Sequence, residues 1–364
     1  LLGVQGVEGG VALPSTINHP LSTSHHELFL GRCAMYEQKP WLKFYQHVPS
    51  SIDYLRVTMY EALCQTVSEK PDDIAYDFLG YTSTYRQFLS EIDLCADALA
   101  ALGLKKGDRI TISMPTMPQG IICFYAANKL GAVASMIHPL STAKEIEFYL
   151  NVAKSRFALT LDAFYAKFKE VQNSTSLQTL ILARIPDYLS LFKRVAFNLT
   201  KGRQIPKVPA DGLVRWWHDL MNDRHDKAPA AQMDTDDLAV ILYSGGTTGI
   251  PKGIMLSNRN FISEGKMVSE WGRLDGASSV LAILPIFHGF GLGVCVNACF
   301  MGGGKSILVP IFTPETVADL IRVKKPSFVI GVPTLFDALS RNPKMRKADL
   351  SCLLAAFSGA DALP

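Results

Sequence analysis

The residues of this chain whose types and spacing best suit chemistry form one short loop, residues 243–253, with the sequence Tyr-Ser-Gly-Gly-Thr-Thr-Gly-Ile-Pro-Lys-Gly. It follows an apolar run, residues 238–242, which predicts a short buried strand. Glycines let backbone N–H groups turn toward an anion, hydroxyls add donors, and a lysine adds a mobile positive charge. We therefore predict that this loop binds a polyphosphate.

The loop has two other interpretations. The P-loop of NTPases requires Gly-x-x-x-x-Gly-Lys-Ser/Thr leading directly into a helix. Here Pro251 stands between Gly249 and Lys252, and Gly253 follows the lysine where a Ser or Thr would bind magnesium. A plain surface turn is the remaining alternative, because strand ends often carry Gly, Ser and Thr. The number of phosphate-suited residues in this loop favours the binding site.

Further candidate residues follow three later predicted strands, at the strand ends where open α/β sheets bind ligands. These segments are residues 285–292, which contain His288, residues 331–336 and residues 358–364. A histidine there can donate to an oxygen of a phosphate or carboxylate. Judged by itself, His288 fits better as a core histidine bonded to a backbone carbonyl. A dinucleotide loop is excluded because Val294 stands where the third glycine belongs.

The loop resembles the phosphate loop of the adenylate-forming (AMP-binding) superfamily, whose pattern is close to Tyr-Ser/Thr-Ser-Gly-Thr-Thr-Gly-x-Pro-Lys-Gly. It departs from that pattern only at Gly245, where the family usually has Ser. Residues 285–291 resemble the Pro-x-x-His-x-x-Gly segment of acyl-CoA synthetases, and residues 359–363 resemble the family's Gly-Ala-x-x-Leu segment. Residues 39–49 and the connector after residue 180 are similar to bacterial long-chain fatty acyl-CoA synthetases. The resemblance covers about residues 58–364 strongly.

The resemblance implies an ATP-dependent acid–thiol ligase that converts a fatty acid to acyl-AMP and then to acyl-CoA. The implied cofactors and co-substrates are ATP, Mg²⁺ and coenzyme A. It assigns catalytic roles to His288 and Lys252, and substrate contacts to His288, Gly331, Val332 and Pro333. Thr248 would hold the magnesium ion. The implied nucleotide contacts are Ser244, Gly245, Gly246, Thr247, Thr248, Gly249, Lys252, Gly359 and Ala360.

In the family the pattern continues past the position of Pro364. It goes on to a Tyr-Gly-x-Thr-Glu segment, an Asp that binds the ribose, and a small C-terminal domain with a catalytic lysine. The resemblance thus predicts an N-terminal fragment, inactive by itself, whose partner is its own missing C-terminal domain. Two alternatives stay open: a fatty acyl-AMP ligase that passes its product to a carrier protein, and a non-catalytic nucleotide-binding or scaffold module.

Bulk composition excludes several classes of protein. The chain has 364 residues, 48% hydrophobic and 19% charged, which is typical of a globular protein. Its net charge of +3 is too small to indicate a nucleic-acid partner. Seven scattered cysteines favour a reducing, cytoplasmic setting and indicate no zinc site. Residues 276–304 lack charged side chains, but Pro285, His288 and seven glycines interrupt them. A buried strand, a loop and a buried helix therefore fit better than a membrane span, and peripheral membrane association stays open.

The elements that must position these residues alternate between strand and helix from about residue 58, which predicts an α/β fold. We expect two layered αβ subdomains with mostly parallel sheets. The predicted divisions are a lead-in at 1–57, a first subdomain at 58–171, a connector at 172–236 and a second subdomain at 237–364. Helix starts are predicted from Thr84-x-x-Gln87, Thr142-x-x-Glu145 and Thr313-Pro314. The predicted strands are residues 73–78, 109–114, 132–137, 157–161, 238–242, 279–284, 306–309, 327–330 and 353–357.

Overall fold

The structure, a computed structural model, describes residues 39–244 and 251–362. The chain divides into two compact units, residues 1–51 and residues 52–364. In the first unit, Pro40–Phe44 forms a 3₁₀-helix that begins at a proline, whose fixed φ suits a first helical turn. The sheets, helices and candidate site described below all belong to the second unit.

The first sheet of the described residues has seven strands in the order β7-β6-β5-β3-β4-β8-β9. All its neighbouring strands are parallel except β8 and β9, which form an antiparallel hairpin. In chain order the strands are β3 Arg109–Ser113, β4 Val133–Met136, β5 Phe157–Leu161, β6 Thr179–Ala183, β7 Val214–Trp216, β8 Leu238–Ser244 and β9 Lys252–Ser257.

The second sheet of the described residues has six strands in the order β13-β12-β10-β11-β1-β2. Only its β1–β2 pair is antiparallel. The strands are β1 Ile74–Phe78, β2 Tyr81–Thr84, β10 Ser279–Ala282, β11 Lys305–Leu308, β12 Phe328–Gly331 and β13 Ala355–Ser358. The predicted fold class, two αβ layers with mostly parallel sheets, is therefore confirmed.

Helices connect the strands, and several begin at the residues whose side chains predicted a cap. Thr84 and Thr142 each form the predicted capping box, and the Thr313 hydroxyl accepts the N–H of Thr316. The α-helices are α1 Met59–Glu69, α2 Tyr85–Ala101, α3 Pro118–Lys129, α4 Ala143–Ala153, α5 Tyr165–Glu170, α6 Leu191–Leu199, α7 Trp217–Asn222, α8 Asn258–Gly272, α9 Cys299–Met301, α10 Pro314–Lys324 and α11 Pro333–Arg341.

Strand membership differs from the predicted division into consecutive segments. Strands β1 and β2 fall within predicted residues 58–171, yet they pair with β11 in the second sheet. Strand β8 falls within 237–364, yet it pairs with β4 in the first sheet. The predicted connector, 172–236, contributes β6 and β7 to the first sheet. A hydrophobic pattern predicts that a segment forms a strand, but it does not predict which other strand that segment pairs with.

Three edge strands of the described residues, β2, β7 and β9, are absent from the predicted strands. Residues 81–84 form β2, and residues 252–257 form β9, which begins inside the predicted loop at 243–253. Strand β9 has no buried residue and β2 has one, so neither shows the apolar alternation of a half-buried strand. Because β9 pairs antiparallel with β8, the phosphate loop connects the two strands of a β-hairpin.

A buried network of asparagines joins three helices of the second unit. The Oδ1 atom of Asn258 accepts the N–H of Met59 at 3.2 Å and a side-chain N–H of Asn128 at 2.8 Å. Asn128 in turn accepts the N–H of Tyr60 at 2.9 Å. Both backbone N–H groups lie in the first turn of α1, where a helix has no internal acceptors. The network therefore fixes the start of α1 against α3 and α8.

The uncharged stretch at 276–304 folds as a buried strand, a loop and a helix, as predicted. The helix differs in kind from the prediction, because Phe290–Ala298 is a π-helix that continues into α9. Single π-helical turns often occur at functional sites. Across the described part of the chain, no helix is both long and apolar enough to cross a membrane.

Candidate active site

The phosphate loop connects the two strands of the β8–β9 hairpin. Ser244 and Lys252 are directly opposite each other in the hairpin register, and both are exposed. Lys252 is the first residue of β9, so its position is set by the sheet and not by the loop alone. The other loop residues assigned to the site, Gly245, Gly246, Thr247, Thr248 and Gly249, lie outside the described residues.

The base of this hairpin is fixed by Tyr243. Its hydroxyl lies 3.0 Å from the Ser135 hydroxyl on β4, and its ring centroid lies 4.4 Å from that of Tyr149. A Cβ on Gly253, opposite Tyr243, would lie 3.3 Å from Ile241. Glycine thus allows β9 to lie close against β8 at this point. The two ends of the loop therefore start from a rigid, packed base.

His288 lies just past β10, at the carboxyl end of the strand, and its ring is exposed. The ring Nδ1 of His288 accepts the backbone N–H of Phe290 at 3.2 Å, and the backbone N–H of His288 donates to the Pro285 carbonyl at 3.1 Å. With Nδ1 acting as acceptor, the neutral ring carries its proton on Nε2. Exposure of the ring disfavours the core-histidine interpretation. The Nε2–H group is available to donate to an anionic oxygen.

Gly291, the glycine of the Pro-x-x-His-x-x-Gly segment, sits where no side chain fits. A Cβ there would lie 2.2 Å from the Pro285 carbonyl oxygen and 2.7 Å from the Leu284 carbonyl oxygen. Both obstructions are backbone atoms, which cannot move aside as a flexible side chain would. This glycine therefore allows the chain after β10 to fold back into the helix that follows His288.

The His288 segment lies against the carboxyl ends of two strands of the first sheet. A Cβ on Gly289 would lie 3.1 Å from Cδ1 of Leu242, near the end of β8. The ring centroid of Phe287 lies 4.4 Å from that of His138, which follows β4. The carboxyl edges of the two sheets therefore meet near the end of β8, the strand that leads into the phosphate loop.

The two remaining segments adjoin the His288 segment on its other side. A Cβ on Gly359 would lie 3.0 Å from the ring of Phe290, and the Gly359 N–H donates to the Gly331 carbonyl at 3.2 Å. Ala360 is exposed and has a φ of 69°, a left-handed conformation uncommon for alanine. All four predicted segments are therefore linked through adjacent residues at one edge of the fold.

The residues of the 331–333 segment differ in exposure. Gly331 and Pro333 are buried, whereas Val332 is half-buried and precedes the first turn of α11. Pro333 occupies the first position of that helix, where its missing N–H costs nothing. Among residues 331–333, Val332 is thus the residue whose side chain is accessible at the edge where the four predicted segments meet.

One histidine that sequence reasoning missed is His138. It follows β4, its Nδ1 accepts the Leu140 N–H at 2.9 Å, and it packs on Phe287. Burial lowers the pKa of His138, which favours the neutral ring. The His-Pro pair directly after a predicted strand was the available signal, because it has the same placement as His288.

Glu264 on α8 is a second group that sequence reasoning missed. Its carboxylate lies against the helix that follows His288, where a Cβ on Gly293 would be 2.8 Å from Oε2. Among the described residues, Oε2 has no hydrogen-bond partner. Burial raises the pKa of Glu264 to about 7. The sequence around Glu264 is that of an ordinary helix and held no signal for this burial.

Glu264→Gln should stabilise the protein at high pH and change little at low pH. The folded-state pKa exceeds the unfolded one, so the buried carboxyl costs stability progressively as pH rises from about 4.5 to about 7. Above that range the cost is on the order of 3 kcal/mol for a shift of this size. Urea unfolding of both proteins at pH 5 and pH 8 measures it. The exposed control Glu69→Gln should show no such pH dependence, and an equal gain at both pH values would contradict the assignment.

A cleft of about 550 Å³ lies elsewhere in the described residues, between α6 and β7. Its lining includes Arg184, Arg194, Lys207, Trp216 and His218, and no residue assigned to the site lines it. Arg184 stacks on Trp216, with its guanidinium carbon 3.8 Å from a ring centroid. This cleft is therefore separate from the edge where the four predicted segments meet.

With this geometry established, comparison with known proteins decides the family. The model of the AMP-binding enzyme family matches residues 63–364. The chain belongs to the AMP-binding enzyme family. The resemblance inferred from the phosphate loop and the later strand-end segments is thereby confirmed.

Relatives and solved structures support membership of the AMP-binding family. A long-chain-fatty-acid–CoA ligase of Bacillus subtilis (strain 168) is 30% identical over 337 residues, covering 91% of this chain and 60% of the relative. An anthranilate CoA ligase in complex with anthranoyl-AMP shares the fold with a TM-score of 0.73, at 22% identity, over 85% of this chain and 56% of that one. A long-chain-fatty-acid-CoA ligase from Archaeoglobus fulgidus also has a TM-score of 0.73, at 19% identity, over 86% and 60% of the two chains. The chain thus spans about 60% of the length of such relatives.

Proposed function

We propose that this chain supplies the ATP-binding and acyl-binding part of a ligase that joins a fatty acid to coenzyme A. The observation that carries the proposal is the meeting of four segments at one edge. Leu242, just before Ser244 and its strand partner Lys252, lies against Gly289 of the His288 segment. Phe290 of the same segment adjoins Gly359, which bonds to Gly331. A relative at 30% identity is a long-chain-fatty-acid–CoA ligase, which favours a fatty acid as the substrate.

The described groups fit the parts of a bound nucleotide. Lys252 and Ser244 lie exposed at the mouth of the hairpin and suit the β- and γ-phosphates. Gly359 packs against the ring of Phe290, and the exposed Ala360 follows it; these two small residues would lie beneath the adenine base. Mg²⁺ would enter with the phosphates, as it commonly does, and Thr248 would be its protein ligand.

The proposed reaction has two steps. A carboxylate oxygen of the acid attacks the α-phosphorus of ATP, the bond to the bridging oxygen breaks, and pyrophosphate leaves. The sulfur of coenzyme A then attacks the acyl carbon, AMP leaves, and the thiol proton is released. Lys252 would offset the negative charge of the departing pyrophosphate, and the Nε2–H of His288 would donate to an oxygen of the acid or the α-phosphate. Positioning and charge neutralisation supply most of the catalysis.

Binding and turnover test the proposal separately. The chain should be stabilised against thermal unfolding by a non-hydrolysable fatty acyl-adenylate analogue, with a smaller shift for AMP alone. In the longest encoded form of the protein, fatty acids should drive the exchange of labelled pyrophosphate into ATP. Adding coenzyme A should then yield acyl-CoA.

Three outcomes would redirect the assignment. No thermal shift with either ligand would contradict the nucleotide site itself. Pyrophosphate exchange that yields no acyl-CoA, together with transfer of the acyl group to a carrier protein, would show that the acyl acceptor is a carrier protein and not coenzyme A. A shift with the analogue and no exchange with any acid tested would favour a non-catalytic binding module.

A further inference from the structure

The cleft between α6 and β7 lies at the carboxyl ends of three parallel strands of the first sheet. Asp162 directly follows β5, Arg184 directly follows β6 and Trp216 ends β7, and all three residues line the cleft. Open α/β sheets bind ligands in crevices outside the carboxyl ends of their strands. The volume of about 550 Å³ is also typical of small-molecule sites. We call this site the α6–β7 cleft.

Arg184 is a firmly positioned cation of the α6–β7 cleft. Its guanidinium carbon lies 3.8 Å from a ring centroid of Trp216, and its Nε lies 3.7 Å from Oδ2 of Asp162. Its backbone is fixed as well, because its N–H donates to Oδ2 of Asp187 at 2.8 Å and its carbonyl accepts Nε2 of Gln119 at 3.0 Å. Half of the side chain is still exposed. A planar guanidinium held in this way loses little freedom when it binds an anion.

The two carboxylates of the cleft are engaged by bonds within the protein. Asp162 accepts the N–H of Ala163 at 2.9 Å and lies beside the guanidinium of Arg184. Asp187 accepts the N–H of Arg184 at the start of the short 3₁₀-helix Ile185–Tyr188. Both acids therefore serve to hold Arg184 and the turn that follows it.

Two further cations that line the cleft have no acidic partner. Arg194 on α6 and Lys207 are both exposed, and neither forms an ion pair within residues 39–244 and 251–362. The Nε of Arg194 donates to the Pro186 carbonyl at 3.2 Å, which anchors the side chain and leaves its two terminal nitrogens for a ligand. His218 adds a ring that becomes cationic when it is protonated. The exposed part of the cleft therefore carries an excess of positive charge.

Apolar side chains form the rest of the lining. They are Pro186, Phe197, Ile205, Pro206 and Val208. Ligand sites typically combine apolar walls with a few fixed polar groups, which set the orientation of the ligand. This lining therefore suits an organic anion better than a small inorganic ion, which would leave the apolar walls without a partner.

We propose that the α6–β7 cleft binds a soluble phosphate monoester whose remaining part is apolar or aromatic. A phosphate monoester carries a charge of roughly −1.5 to −2 at neutral pH and offers three acceptor oxygens. The two guanidinium forks of Arg184 and Arg194 match such oxygens in pairs, and Lys207 adds a point charge. A carboxylate has only one charge and two oxygens, so the three cations favour phosphate. The cleft is separate from the candidate active site, and the inference stands whatever reaction that site performs.

Isothermal titration of the 364-residue chain with phenyl phosphate tests the inference. This probe joins a phosphate monoester to a small apolar ring and should bind at a single saturable site. Benzenesulfonate has the same ring but only one charge, and it should bind at least roughly tenfold more weakly, because it loses charge-assisted hydrogen bonding. Binding of phenyl phosphate should weaken as the salt concentration rises, since salt screens the attraction.

Two variants of the cleft should lose the probe. Arg184→Gln should lower the affinity for phenyl phosphate at least roughly tenfold, because a hydrogen bond to a charged group is lost. The double variant Arg194→Gln with Lys207→Gln should lower it by at least as much. Because Arg194 and Lys207 are exposed, this second variant should keep the circular dichroism spectrum and the unfolding midpoint of the parent.

Arg346→Gln with Lys347→Gln is the matched control for the double variant. Both residues are exposed and lie outside the cleft, and Arg346 likewise donates its Nε to a backbone carbonyl, that of Ser340, at 2.8 Å. The control removes the same two charges from the chain. It should bind phenyl phosphate within about twofold of the parent, because salt screens exposed charges that do not touch the ligand.

Lys252→Ala separates the cleft from the phosphate loop. This variant should bind phenyl phosphate as the parent does, even if the proposed ligase function fails. Four results would overturn the inference: no saturable binding, equal losses in the cleft double variant and its control, equal affinities for phenyl phosphate and benzenesulfonate, and loss of binding in Lys252→Ala with full binding in the cleft variants. The last result would assign the probe to the phosphate loop.

Discussion

Replacing Lys252 with alanine should lower adenylate formation by about a hundredfold or more while leaving the fold intact. Removing one preorganised group that stabilises charge in a transition state typically costs this much. Lys252 is exposed at the start of β9, where alanine retains the backbone pairing with Ser244. Surface substitutions of this kind change stability by no more than about 0.5 kcal/mol. Pyrophosphate exchange in the longest encoded form of the protein is the measurement.

The matched control for this variant is Lys105→Ala. Lys105 is also exposed, but it precedes β3 and so lies at the amino end of the first sheet, opposite the candidate site. Its replacement should leave exchange unchanged within about twofold. If Lys252→Ala retained exchange at that level too, the loop would not hold the leaving phosphates, and the assignment of Ser244 would fail with it.

Gly291→Ala should lower the free energy of unfolding by about 3 kcal/mol or more. The new methyl group would lie 2.2 Å from the Pro285 carbonyl oxygen, so the backbone around His288 must shift. Helix propensity alone predicts the opposite sign, a gain of about 1 kcal/mol for Gly to Ala within a helix. The sign of the change therefore separates a steric requirement from a helical preference. Urea unfolding measures the change.

Gly212→Ala provides the comparison for Gly291→Ala. No atom lies within 4 Å of the Cβ that would be added at Gly212, and its φ is not positive, so its stability should change by no more than about 0.5 kcal/mol. Near-parent stability for Gly291→Ala would refute the close approach described here. Pyrophosphate exchange should fall as well, because the Nε2–H of His288 depends on the same turn.

Local chemistry in the sequence predicted the parts of the fold that depend on near neighbours. The capping boxes at Thr84 and Thr142 involve residues three apart, so their sequence suffices to define both helix starts. The position of His288 past a strand is likewise local. The class of the fold followed from the alternation of strand and helix, which no single residue controls.

What the sequence could not supply depends on partners distant in the chain. The pairing of Tyr76 with Ser306 has no local signature, and β9 is too exposed to show a strand pattern. Glu264 has an ordinary helical setting in sequence, and its raised pKa exists only because the helix after His288 covers it. The contact between Gly359 and Phe290 likewise arises only when two sheets meet.

The pairing of β1 with β11 has a consequence for how the protein is made. Tyr76 and Ser306 are about 230 residues apart, so β1 leaves the ribosome long before its parallel neighbour exists. At about 5–20 residues per second, that delay lasts roughly 10–50 seconds. During this delay, the side chains of β1 that are buried in the folded protein, and the unpaired backbone groups on one edge of β1, must be shielded from other chains. Synthesis of this protein should therefore depend on chaperones more than its stability alone would suggest, because distant contacts form late.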